Sequence, residues 1–169
     1  ANATGDWFSL IGNLNVTEIH SIDWDANANI VISGAQDNGT PEQEFPTNIK
    51  WQSVSTGDGG DVSVDDISST TTSTRYSSFQ NLNGFRRRVY SSGNVLQSQA
   101  FPALIDVATG LRITGFSFVN PVKINSQNGS RMIIATAGAL FETFDQGNTV
   151  NNIGAVGANN FGRDAIAYG

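Results

Sequence analysis

The chain has 169 residues, 38% of them hydrophobic and 14% charged, with a net charge of −6 and no cysteine. That length suffices for one ordinary domain with a sizeable core. The acidic balance speaks against a broad nucleic-acid surface, which needs clustered Lys and Arg, and the lack of cysteine excludes disulfides, thiolate metal sites and cysteine nucleophiles. No apolar run reaches the roughly 18–20 residues that span a bilayer, so no membrane span is expected. Eighteen glycines with many Ser, Thr and Asn residues point to short strands joined by many turns. The acidic, Lys-poor makeup and the start at Ala1-Asn2-Ala3 suggest an exported, extracellular or cell-surface protein of a prokaryote, with a leader removed or as a piece of a longer chain.

In chain order, Trp7-Phe8-Ser9-Leu10 reads as the outer strand of a preceding unit, residues 5–14. A first unit, 15–58, starts with an inner strand Ile19–Trp24 and a second strand Asn29–Ala35, and its outer two strands are expected within Phe45–Val54. A second unit, 59–119, has Val62–Asp65, Thr74–Gln80 and Gly84–Ser91, then an insertion at 93–110 and a fourth strand at Leu111–Phe118. A third unit, 120–158, has Val122–Asn125, Met132–Ala137, Ala139–Phe144 and Thr149–Ile153, and residues 159–169 open a further unit. Four alternating segments mark the inner strands: His20–Asp25, Asp61–Asp66, Asn120–Asn125 and Asp164–Gly169, which start 41, 59 and 44 residues apart. A period near 40–50 residues with four strands per unit is the mark of a propeller. A β-sandwich also has many short strands, but the spacing favours the propeller.

Thr143-Phe144-Asp145-Gln146-Gly147-Asn148-Thr149-Val150 fits the pattern Ser/Thr-x-Asp-x-Gly-x-Thr-aromatic, with Val150 in the aromatic place. This is similar to the Asp-box turn of sialidase-like propellers. Gly34-Ala-Gln-Asp-Asn-Gly-Thr40, Trp51 followed by Gly57-Asp-Gly-Gly-Asp-Val62, Asn83-Gly-Phe-Arg-Arg87 and Phe118-Val-Asn-Pro121 resemble, in the same order, segments of exported bacterial BNR/Asp-box propellers, a group that includes sortilin-like and xyloglucanase-like members. The resemblance implies an all-β fold: a β-propeller fragment of about three four-stranded antiparallel blades. It implies a structural role for Thr143, Asp145, Gly147 and Thr149, with the Asp145 side chain bonding amides of its own hairpin. Tyr90-Ser-Ser-Gly-Asn94 is a remnant of the same turn in the second unit. A closed ring takes roughly four to eight blades, so the missing blades are expected from the same, an identical or another chain.

On this map Glu18, His20, Gln36, Asp37, Asn38, Asp58, Asp61, Arg163 and Asp164 converge on one rim, the candidate ligand face for a glycan or protein ligand. Asp37, Asp58 and Asp61 are the candidates for a glycosidase carboxylate pair. With Asn38 they are also candidates for Ca²⁺, which wants six to eight oxygens; tight-turn chemistry is the competing reading of the same residues. His20, the sole histidine, is expected as a packed or hydrogen-bonded rim residue, and Trp7, Trp24 and Trp51 as packing between units. Arg86-Arg87-Arg88 alternates faces along a strand and so makes no single basic patch. Three functional classes remain open: a non-catalytic binding or scaffold module, a carbohydrate-active propeller completed outside this chain, and a self-assembling module.

Overall fold

A computed structural model of the chain describes residues 16–155 and 166–169. The protein is all-β, built of mostly antiparallel sheets. Sheet 1 contains β1 (Ile19–Asp25), β2 (Ile30–Ala35), β3 (Pro41–Gln43) and β4 (Trp51–Ser53), paired in chain order. Sheet 2 contains β5 (Ser63–Asp65), β6 (Thr72–Phe79), β7 (Asn83–Ser91) and β8 (Leu96–Ala100), again in chain order, with a short 3₁₀ turn at Gln80–Leu82. Then β9 (Ile105–Asp106) crosses over to pair in parallel with the outer edge of sheet 3, which is formed by β10 (Val122–Asn125), β11 (Asn128–Ala135), β12 (Ala139–Thr143) and β13 (Thr149–Ala155). Among the described residues no ring closes, and no helix is long and apolar enough to cross a membrane.

Two strand expectations need correction. The third strand of the first unit lies at Pro41–Gln43, ahead of the expected 45–54. The turn at Phe45–Asn48, with Thr47 at φ 62°, interrupts the chain where a strand was expected. The fourth strand of the second unit is β8, inside the supposed insertion 93–110, while Leu111–Phe118 forms no strand. Positive-φ glycines at 110 and 115 and a turn closed on Asp106 O break that second run. The turn at Ser91–Val95 joins the third and fourth strands of sheet 2, as Thr143–Thr149 joins those of sheet 3.

The strand that leads each sheet follows one pattern. Asp25 accepts from Ala28 N–H, Asp65 from Ser68 N–H and Asn125 from Gln127 N–H, each closing the turn after its strand. This aligns His20–Asp25 with Gly60–Asp65 and Asn120–Asn125, so the sequence match to Asp61–Asp66 was one residue late. The leading strands stand side by side and parallel, and their side chains bond forward to the next strand. Ser21 Oγ and Asp23 Oδ2 accept from Val62 N–H (3.2 Å) and Val64 N–H (2.8 Å). One repeat on, Asp61 Oδ2 accepts from Val122 N–H (2.8 Å) and Ser63 Oγ donates to Val122 O (2.6 Å).

The alternate residues of the leading strands face the preceding sheet. Val62 and Val64 pack on Ala28, Ile30 and Ile32 of sheet 1. Val122 and Ile124 pack into a larger cluster with Tyr76 and Phe85 of sheet 2 and Met132, Ile134, Phe141 and Val150 of sheet 3. The matching residues of β1, Ile22 and Trp24, are 60% and 47% exposed, and Trp51 is 37% exposed. The expectation that Trp24 and Trp51 are packed is therefore corrected: no sheet covers this face among the described residues. Trp7 lies outside them.

Candidate functional site

At the end where β1, β5 and β10 begin, the β2–β3 turn meets the β4–β5 connection. The approach is backbone to backbone. A Cβ at Gly34 would fall 1.9 Å from Gly60 O, and one at Gly59 would fall 1.9 Å from Gly39 O. Only glycine fits both positions. Ala35 N–H bonds Gly39 O and Gly59 N–H bonds Ala35 O, both at 2.9 Å, while Gly39 N–H bonds Gly57 O at 2.8 Å. The two glycine motifs of the sequence thus form one seam between sheets 1 and 2.

Above that seam lies a polar rim. Asp58 Oδ1 accepts from Asp37 N–H (3.0 Å) and from the Gln36 side chain, and Asp58 N–H donates to Gln80 Oε1 (3.2 Å). Asn38 Nδ2 donates to Gln36 O (3.0 Å) and Thr17 Oγ1 (3.1 Å). His20 is buried and its Nδ1 donates to Gly59 O at 2.7 Å, which fixes the tautomer. Its Nε2 is buried without a hydrogen-bond partner, 3.7 Å from Glu18 Oε1. The Phe118 ring meets the imidazole edge-on at 6.0 Å between centroids.

Six of the sequence candidates therefore come together: Glu18, His20, Gln36, Asp37, Asn38 and Asp58. Asp61 lies beneath them, buried, bonded to Ser21 and paired with Lys123 Nζ at 3.2 Å. Burial pushes its carboxyl up and Lys123 pulls it back only in part. Arg163 and Asp164 lie outside the described residues. Lys123 and Thr17 carried no sequence signal of their own. Among the described residues no three His, Asp or Glu side chains converge as a metal cage. Asp58 spends one oxygen on the adjoining turn and Asp61 is tied to a lysine, which leaves Glu18 and Asp37 as the open carboxylates of the rim.

The Thr143–Val150 turn lies at the opposite end of the sheets. Thr143 Oγ1 accepts from Gly147 N–H (2.9 Å) and donates to Asp145 Oδ1 (2.9 Å). Asp145 accepts from Thr149 N–H (2.9 Å) and Thr149 Oγ1 (2.8 Å). Burial pushes the Asp145 carboxyl up, but these donors outweigh it and hold it below the usual carboxylate range. The three arginines at 86–88 bond different segments: Arg86 donates to Gly84 O, Arg87 to Gln146 O in the β12–β13 turn, and Arg88 to Val54 O just after β4.

No protein-family model and no curated protein matches the chain. Among solved structures, the chain is similar to a functionally unknown protein from Desulfotomaculum acetoxidans, at 13% identity and a TM-score of 0.43. The match covers 85% of this chain and 57% of that one, so this chain spans little more than half of that structure.

Proposed function

We propose that the chain is a segment of about three blades from an Asp-box β-propeller, and that it serves as a non-catalytic binding or scaffold module of a larger exported or cell-surface protein. The observation that carries this reading is the series of leading strands: parallel, side by side, and joined by forward hydrogen bonds from side chains at matching positions, from β1 to β5 and from β5 to β10. Strands in that relation are what the inner ring of a propeller requires. The side-chain bonding of Asp145 within its own turn supports the Asp-box resemblance.

The ligand face is the rim of Glu18, His20, Gln36, Asp37, Asn38 and Asp58, and its ligand is a glycan or a protein surface. A binding role fits it better than hydrolysis, because two of the three candidates for a glycosidase carboxylate pair, Asp58 and Asp61, are engaged internally and leave Asp37 without a partner among them. The test is to screen the chain against immobilised glycans and fluorogenic glycosides in parallel. Retention without turnover, lost in Asp37→Asn with Glu18→Gln, supports a binding module. Turnover abolished by the same changes overturns it in favour of a carbohydrate-active propeller.

A further inference from the structure

Away from the rim, the β3–β4 turn of sheet 1 and the β7–β8 turn of sheet 2 stand next to each other. Between them opens a cleft of about 430 Å³, walled by Glu42, Phe45 and Gln52 on one side and Asn94, Val95 and Leu96 on the other. That size lies within the range of roughly 300–1,000 Å³ found for small-molecule sites. Asn94 is held in place there. Its backbone takes φ 60°, a conformation that Asn tolerates. Its Nδ2 leaves its own hairpin and donates to Glu44 O (3.2 Å) and Gln43 O (3.4 Å) of the facing sheet. Backbone carbonyls only accept, so these two contacts decide which end of the amide is the nitrogen. The other end, Oδ1, is buried with no hydrogen-bond partner among the described residues. A buried acceptor in that state is unfavourable until a donor reaches it.

The carboxylates beside it are already answered. Glu42 is paired with Arg75 at 2.9 Å and Glu44 with Lys50 at 3.2 Å, so the cleft offers no uncompensated charge. Its lips are apolar, with Phe45, Val95 and Leu96 exposed, and Gln52 adds an exposed amide. We propose that this cleft binds one neutral sugar ring, with a ring hydroxyl donating to Asn94 Oδ1 and a C–H face of the ring lying on Phe45. A charged ligand would find no free counter-charge there. A wholly apolar ligand would leave Oδ1 without a donor. A sugar ring carries an O–H donor and an apolar C–H face on one rigid frame, with further hydroxyls for Gln52. The site uses sheets 1 and 2 alone and is separate from the rim.

The test is a titration of the full ¹⁵N-labelled chain, followed by amide NMR. The probes are glucose, galactose, mannose, xylose and N-acetylglucosamine, each taken to a concentration on the order of 50 mM, enough to saturate a millimolar site. Saturable shifts of the Asn94 side-chain amide and of the Phe45, Val95 and Leu96 N–H groups are expected with at least one sugar. Phe45→Ala removes an exposed ring, and Asn94→Ala removes the acceptor. Each should weaken that sugar by about three- to tenfold, in chains whose amide dispersion shows them folded. If no sugar shifts these groups, the cleft holds solvent only and the proposal fails. Shifts confined to Asp37 and Asp58 also overturn it, while leaving the rim as a ligand face. A sugar whose affinity is unchanged in folded Phe45→Ala is not seated in the cleft, which overturns it again. Cleft shifts caused by N-acetylphenylalanine methylamide and by no sugar would assign the site to a peptide and overturn its assignment to a glycan.

Discussion

The two interfaces between sheets are built from opposite materials. Between sheets 2 and 3 lies an apolar core of ten buried side chains, from Tyr76 and Leu82 to Phe141 and Val150. Between sheets 1 and 2 the buried apolar set is only Ala28, Ile30, Ile32 and Val62, and beside it sits an ionic group. Arg75 of β6 places Nη1 2.9 Å from Glu42 of β3 and Nε 2.7 Å from Asp25 of β1. Its Nη2 is also 2.7 Å from Asp25 Oδ2, although off the hydrogen-bonding direction. The Tyr90 ring covers the guanidinium at 3.9 Å. Apolar packing tolerates sliding, because dispersion and the hydrophobic effect are weakly directional. One guanidinium shared by two carboxylates fixes how sheet 1 is set on sheet 2.

The largest expected effect is at that ionic group. Arg75→Met leaves Asp25 and Glu42 buried without their ion-pair partner, and about 3–5 kcal/mol of unfolding free energy should be lost, as read by urea denaturation at neutral pH. Burial already pushes the Glu42 carboxyl up and Arg75 pulls it down. Removing the cation raises it further, so the variant's deficit should narrow on acidification as Glu42 takes a proton. A deficit independent of pH would mean that Arg75 acts by packing alone.

Next comes the apolar interface. Ile134→Ala in β11 removes a fully buried side chain and should cost about 2–5 kcal/mol, with no such pH dependence. If the two variants showed the same pH profile, the contrast between the interfaces would fail.

The smallest effect is at the turn remote from both. Asp145→Ala removes the acceptor for Thr149 and should cost about 1 kcal/mol. The folded pKa of Asp145 lies below the ordinary 3.8. Its contribution is therefore present in full above that value and disappears as pH falls through the folded one. Acid denaturation of the wild type and Asp145→Ala should converge at the lowest pH, and a gap that persisted there would assign the loss to backbone strain instead.

The leading strands and the Thr143–Val150 turn were legible because each writes its geometry into local sequence: alternation in one case, fixed side-chain-to-amide spacing in the other. The rim was legible partly in the same way, since Gln36, Asp37, Asn38 and Asp58 sit on glycine-marked turns, while Glu18 and His20 lie at the start of β1. Strand β8 was not, because Leu96–Ala100 is polar and mostly exposed, with no apolar alternation to mark it. The ionic group was invisible for a different reason. Asp25, Glu42 and Arg75 belong to three strands of two sheets, and their pairing exists only once the sheets are stacked. Trp24 misled for the converse reason: its place in the alternation marks a packed face, but the sheet that would cover it is not among the described residues.

His20 adds a practical consequence. It is the sole histidine in the chain, and its ring is held between the Gly59 carbonyl and the edge of Phe118. One pair of imidazole resonances in a proton spectrum therefore reports on the glycine seam, without isotopic assignment. Any ligand that settles on the rim, or any neighbour that shifts sheet 1 against sheet 2, should announce itself there first.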